Sequence, residues 1–194
     1  MSAANHRVLV VFVDALGPDQ IERFGASLSF VPHRRALHGV LGYSSGALPT
    51  LLTGVPPSAH GRMCLFARSE QGTSSPLAPL TALGFLPRIV HERGRLRRAL
   101  GRLVAELGGL TGYVALHRVP PEHFAWLDLP EREDLFQAER IGGQPTFLAD
   151  ARRAGLSVYA APWQLPELER WEHARRALAA QAPDLSFLYA AELD

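Results

Sequence analysis

The chain has 194 residues, 47% hydrophobic and 20% charged, and its 20 basic and 19 acidic residues leave a formal charge of +1. That balance excludes a disordered polar chain, a collagen-like fibre and a highly charged nucleic-acid-binding tail. The one cysteine, Cys64, excludes an intramolecular disulfide or a cysteine-based zinc cluster, and no apolar run reaches the ~20 residues that span a bilayer.

Val8–Val13 reads VLVVFV, six consecutive β-branched or large apolar residues, and predicts a strand covered on both faces, as in a parallel sheet. The run is too short for the core of a secretory signal and Asp14 closes it, so the expected location is cytoplasmic. Gly17-Pro18 starts a helix through about Phe24. Val40-Leu41 reads as a second short strand, and Gly46–Thr53 as a compact buried helix stopped by Gly54-Val55-Pro56-Pro57. Arg68–Pro79 is rich in Ser, Gly, Thr and Pro and reads as loop. His91–Leu107 carries a helical stripe at Leu96, Leu100, Leu103, Val104 and Leu107. Six arginines face Glu92 within 88–102, and six acids face Arg132 within 122–139; both stretches read as solvated faces. Pro145–Ala154 predicts a helix ended by Gly155, Leu156–Ala160 a strand, Pro166–Ala180 a helix and Leu185–Tyr189 a strand. Strands alternating with helices predict a single α/β domain whose sheet is layered between helices.

Three residues stand at the carboxyl ends of predicted strands, the edge along which open α/β sheets place their ligands. They are Asp14, Ser44 within Gly42-Tyr43-Ser44-Ser45-Gly46, and Asp194. Singly, each has a plain explanation as a turn residue, a helix cap or a chain terminus. Their joint placement points to a site.

The block GYSSGALPTLLTGVPPSAHGR, residues 42–62, resembles the nucleophile segment of the alkaline phosphatase superfamily, in particular its type I phosphodiesterase/nucleotide pyrophosphatase branch. The Thr53-Gly54 pair lies nine residues after Ser44, and His60-Gly61 follows a proline turn as in those enzymes. VLVVFVDALG resembles the opening strand with its metal-binding Asp, here Asp14, and FLYAAELD the start of an Asp-x-x-Gly-His pattern at Asp194. The resemblance implies a three-layer α/β/α sandwich with a mostly parallel sheet, cut short at its C-terminal end, with substrate-selecting loops at about 63–140. It implies a site for two divalent metal ions, zinc first with manganese or magnesium as alternatives. Asp14 and Ser44 would hold one and Asp194 the other, with Ser44 the nucleophile of a phosphoserine cycle on a small phosphoric ester. Tyr43, Ser45 and Arg62 are candidate substrate contacts, while His60 is implied to be structural. The other histidines fit surface or loop roles, and Trp126, Trp163 and Trp171 fit packing. The family's further His and Asp ligands would follow the Asp194 pattern, so the 194 residues alone are expected to be weakly active, with an uncovered sheet edge prone to self-association. Neither nucleic acid nor membrane is expected as a partner.

Two alternatives stay open. Gly42–Gly46 also fits the G-x-S-x-G nucleophile elbow of α/β-hydrolases, which would make the chain a serine esterase with, for example, Asp128 and His173 completing a triad. A non-catalytic relative with the same sheet is the other.

Overall fold

A computed structural model describes residues 6–23, 30–33, 35, 37–40, 43–68, 77–78, 81, 94–112, 119–129 and 131–191. In chain order its elements are β1 (Val8–Val13), α1 (Pro18–Arg23), α2 (Ser44–Thr53), α3 (Pro57–His60), β2 (Ala67–Arg68), α4 (Gly94–Leu107), a 3₁₀ turn at Pro121–Trp126, β3 (Leu127–Asp128), β4 (Arg140–Ile141), β5 (Gln144–Pro145), α5 (Phe147–Arg153), β6 (Val158–Ala160), α6 (Glu167–Gln181) and β7 (Leu185–Ala190). The chain divides into two compact units, Met1–Gly39 with Phe147–Asp194, and Val40–Thr146.

The first unit holds a parallel three-stranded sheet of order β1-β7-β6. β1 pairs β7 from Val8↔Leu185 to Val13↔Ala190, and β6 pairs β7 from Val158↔Leu185 to Ala160↔Phe187. The fold is therefore mixed α/β with parallel pairing, as the alternating pattern predicts. The rank of the strands differs from the expectation. β7 is central and nearly all buried, even at Ser186, whereas Val8, Leu9 and Val11 of β1 are 53%, 55% and 41% exposed. An apolar run marks a strand, but coverage depends on which strands flank it, and among the described residues β1 pairs only with β7. The helix α6 starts after Pro166 and is capped at Ala182, and it packs Ala174 and Ala177 against Tyr159, Ala161 and Leu188. Phe147 of α5 meets Phe187 edge to face, with ring centroids 6.1 Å apart.

In the second unit, α2 starts at Ser44 and stops at Gly54, whose φ of +72° is the left-handed cap that glycine adopts without strain. Val40 carries no strand; Leu41 lies outside the described residues. Leu77, placed in the expected loop, is fully buried with Val104, Phe124 and Leu129, and Leu100 packs on that cluster. Leu96, Leu103 and Leu107 of the expected stripe are exposed, so α4 buries a narrower seam than its sequence suggests. His91, the expected start of that helix, lies outside the described residues. Arg68, also expected in loop, pairs with Leu127 across β2 and β3. Pro145 does not open a helix. Gly142 and Gly143, at φ +56° and +79°, turn a two-residue hairpin that pairs Arg140 with Pro145, and the helix begins only at Phe147. Two adjacent positive-φ residues are the requirement of such a turn, and the Gly-Gly pair is its signal in the sequence. Among the described residues no helix is long and apolar enough to cross a membrane.

Candidate functional site

Asp14 belongs to the first unit and lies one residue beyond β1. Its N–H donates to the Ala190 carbonyl at 2.8 Å, extending the ladder past Val13. Its carboxylate is held from two directions: Oδ1 accepts from the Ala15 N–H at 3.0 Å and Oδ2 from the Tyr189 hydroxyl at 2.8 Å. Ala15 reaches its position at φ +56°, a left-handed conformation that costs a residue with a Cβ about 1 kcal/mol. The expected carboxylate thus stands at the carboxyl end of a parallel sheet, oriented by a neighbouring strand.

Ser44, Tyr43, Ser45 and Arg62 belong to the second unit. Ser44 is the first residue of α2 and Tyr43 its N-cap, extended and 81% exposed, with no side-chain cap bond. The Gly46 and Ala47 N–H groups both reach back to the Tyr43 carbonyl. The Ser45 hydroxyl oxygen is buried and has no hydrogen-bond partner among the described residues. Buried Pro49 contributes no N–H to the helix, and the hydroxyls of Thr50 and Thr53 donate to the Gly46 and Pro49 carbonyls. Ser44 does not have a positive φ, so its backbone is helical rather than the strained turn that a nucleophile elbow needs. The triad partners considered for that elbow are engaged elsewhere: Asp128 with Arg132 at 3.0 Å, and His173 Nδ1 with the Tyr159 hydroxyl at 2.8 Å. Asp194 lies outside the described residues.

His60 is 1% exposed and ties α3 to α2. The single hydroxyl hydrogen of Thr50 goes to the Gly46 carbonyl, so His60 Nε2 is the donor in its 2.9 Å contact with Thr50 Oγ1. Nδ1 accepts from the Arg62 N–H at 3.1 Å. A ring that donates through one nitrogen and accepts through the other is neutral. Burial lowers its pKa accordingly, the Arg62 charge lowers it further, and a backbone hydrogen bond opposes both.

The side chain of Arg62 stands in the field of Asp128, Glu131 and Glu133, with Arg132 opposing; burial lowers its pKa and the carboxylates offset part of that. Glu131 is the unforeseen member. It lies in the acidic stretch read as a solvated face, yet it is 8% exposed, and burial pushes its carboxyl up to about 7 against the pull of Arg62. Gly112 packs so closely on the Glu131 and Glu133 carbonyls that a Cβ would not fit. The sequence carries no signal that separates Glu131 from its exposed acidic neighbours.

An open concavity of about 460 Å³ in the same unit is lined by Phe66, Ala67, Arg68, His123, Trp126 and Leu127, with the Arg68 guanidinium 5.7 Å above the Trp126 ring.

The oxygen donors of Asp14, Ser44 and Asp194 suit a hard or borderline divalent cation in kind. In number they do not complete two coordination shells, and among the described residues no group of three or more His, Cys, Asp or Glu gathers to hold an ion. No protein-family model matches the chain, and no curated protein or solved structure is significantly similar to it.

Proposed function

We propose that the protein is a metal-dependent phosphoric ester hydrolase of the phosphodiesterase/pyrophosphatase kind, with Ser44 as nucleophile, built on a three-layer α/β/α sandwich like that of the alkaline phosphatase superfamily. The observation that carries the reading is the Asp14 carboxylate, held by the Tyr189 hydroxyl and the Ala15 N–H at the carboxyl end of the parallel sheet. Asp14 and Ser44 would hold one divalent cation and Asp194 a second, zinc or else manganese or magnesium, with the remaining ligands outside the described residues. Such ions, when bound, neutralise charge on the attacking and leaving oxygens of an in-line displacement.

The chain's own residues do the rest. The Ser44 oxygen bonds to phosphorus as the bond to the leaving oxygen breaks, and the leaving oxygen takes up a proton. Water then cleaves the phosphoserine and returns the hydrogen to Ser44. The positive end of α2 would favour the negative phosphoryl oxygens, and Ser45, next to Ser44 in the chain, is the other candidate contact. Tyr43, exposed at the cap, would touch the ester group. Arg62 sits among carboxylates and serves the packing around His60 more than the substrate.

The test compares bis-(p-nitrophenyl) phosphate with p-nitrophenyl acetate, with and without chelator, on the protein together with whatever its reading frame encodes past residue 194. Diester cleavage that falls by at least about 10³-fold on chelation and in Ser44→Ala is expected. Chelator-insensitive cleavage of the acetate alone would instead identify a serine esterase, and turnover of neither substrate would leave a non-catalytic relative.

A further inference from the structure

The helix α4 carries two apolar rows, and the second unit packs only one of them. At about 100° per residue, Leu100 and Val104 lie together on one flank, and both join the cluster of Leu77, Phe124 and Leu129. Leu96, Leu103 and Leu107 form the other row, within an arc of about 40° and along about 17 Å of helix. That row faces outward, at 46%, 50% and 73% exposure. Beyond it, on the side away from the core, Arg95, Arg98 and Arg102 fall within an arc of about 60°. All three are exposed and none makes an ion pair among the described residues, while Arg98 Nε donates to the Gly94 carbonyl at 3.2 Å. Glu106, the one acid of the helix, shares the arginine side. Around α4 the order is therefore core seam, leucine ridge, arginine row.

We propose that α4 docks the protein on the surface of an anionic phospholipid bilayer, with Leu96, Leu103 and Leu107 entering the boundary between headgroups and acyl chains while Arg95, Arg98 and Arg102 meet lipid phosphates. Exposed leucines scattered singly are ordinary, but three in one row, on a helix whose other apolar row is already buried, make a contact surface. Charge selects the partner. Three arginines against one glutamate border the ridge, which complements an anionic surface, and long arginine side chains reach past the leucines to the headgroups. Shape separates a bilayer from a protein: a single convex ridge needs a matching groove in a protein, whereas acyl chains yield around any three side chains. At 14 residues α4 is too short to span a bilayer and would lie in its plane. Composition does not announce this partner, because the 19 acids of the whole chain cancel nearly all of its basic charge. Neither Asp14 nor Ser44 takes part, so the docking surface stands whether or not the chain is a hydrolase.

Co-sedimentation of the full chain with vesicles tests the docking, phosphatidylcholine alone against phosphatidylcholine with about 30% phosphatidylglycerol, alongside sedimentation velocity without lipid and thermal unfolding of each variant. Binding to the anionic vesicles is expected to exceed binding to the neutral ones by at least about 10-fold and to weaken in high salt. Leu103→Gln with Leu107→Gln, both at exposed positions, is expected to keep the wild-type unfolding midpoint and to lose about 10-fold or more in binding. Arg95→Gln with Arg102→Gln is expected to lose a similar factor on anionic vesicles and nothing on neutral ones. No binding by the wild type, or equal binding to both kinds of vesicle, would overturn the proposal. Anionic binding that survives the leucine pair unchanged would show charge attraction alone and overturn it too. A wild-type dimer that the leucine pair splits, without vesicle binding, would make the ridge an interface between copies and overturn the lipid reading. Should the double leucine variant unfold, Leu107→Gln alone, at the most exposed of the three positions, decides.

Discussion

Replacing Glu131 by glutamine should stabilise the protein at neutral and alkaline pH and leave it almost unchanged in acid. Glu131 is 8% exposed, and burial pushes its carboxyl from the ordinary 4.5 to about 7. Its folded pKa is raised, so its contribution to stability is complete below pH 4.5 and is lost as pH rises to about 7. Above that the fold must carry a buried carboxylate. At about 1.4 kcal/mol per pH unit, the interval from 4.5 to about 7 corresponds to about 3 kcal/mol, a large share of the ~5–15 kcal/mol that holds a domain together. Glutamine keeps the shape without the charge, and the lost attraction to Arg62, which is also in the field of Asp128 and Glu133, reduces the gain somewhat. Urea unfolding of wild type and Glu131→Gln from pH 4 to 8.5, compared at each pH, isolates this group from every other titration. The expected difference is near zero at pH 4 and about 2–3 kcal/mol in favour of the variant at pH 8. A pH-independent difference, or a less stable variant at pH 8, would refute the assignment of Glu131 as a buried acid.

His60 should act in the opposite sense. Its folded pKa is lowered, so its contribution is complete above pH 6.5 and is lost as pH falls through the folded value; His60→Leu should flatten that acid slope while costing about 1–2 kcal/mol at pH 8 through the lost bond to Thr50, as pH-dependent unfolding would show. Gly142→Ala should destabilise by at least about 2 kcal/mol in thermal or urea unfolding, because its Cβ would enter the His60 carbonyl at a positive φ. Gly143→Ala, at φ +79° but with open space around it, should cost only about 1 kcal/mol, so equal losses at the two positions would remove the close approach as the cause.

What the sequence determined by itself is what short stretches of chain decide. The apolar run VLVVFV makes β1, proline and glycine punctuation opens α1 and closes α2 at Gly54, and the alternation after residue 155 yields β6, α6 and β7, because local propensity and periodicity act within a few residues. Asp14 at the end of β1 was legible for the same reason, whereas Ser44, expected between a strand and a helix from Gly46, is the first residue of α2, and Val40 carries no strand. The hairpin at Gly142-Gly143 was just as local, but the proline after it reads equally well as the start of a helix.

Tertiary structure decided the rest. Pairing order places β7 at the centre of the sheet and leaves β1 with exposed valines, although β1 has the more continuous apolar run. Packing buries Glu131 and leaves Asp128 in water, a distinction that two acids three positions apart do not announce. The contact that orients Asp14 comes from Tyr189, 175 positions away, and exists only because the first and last strands lie parallel in register. Local interactions select an element, whereas partners far apart in the chain meet only after loop closure and burial have chosen one arrangement of those elements.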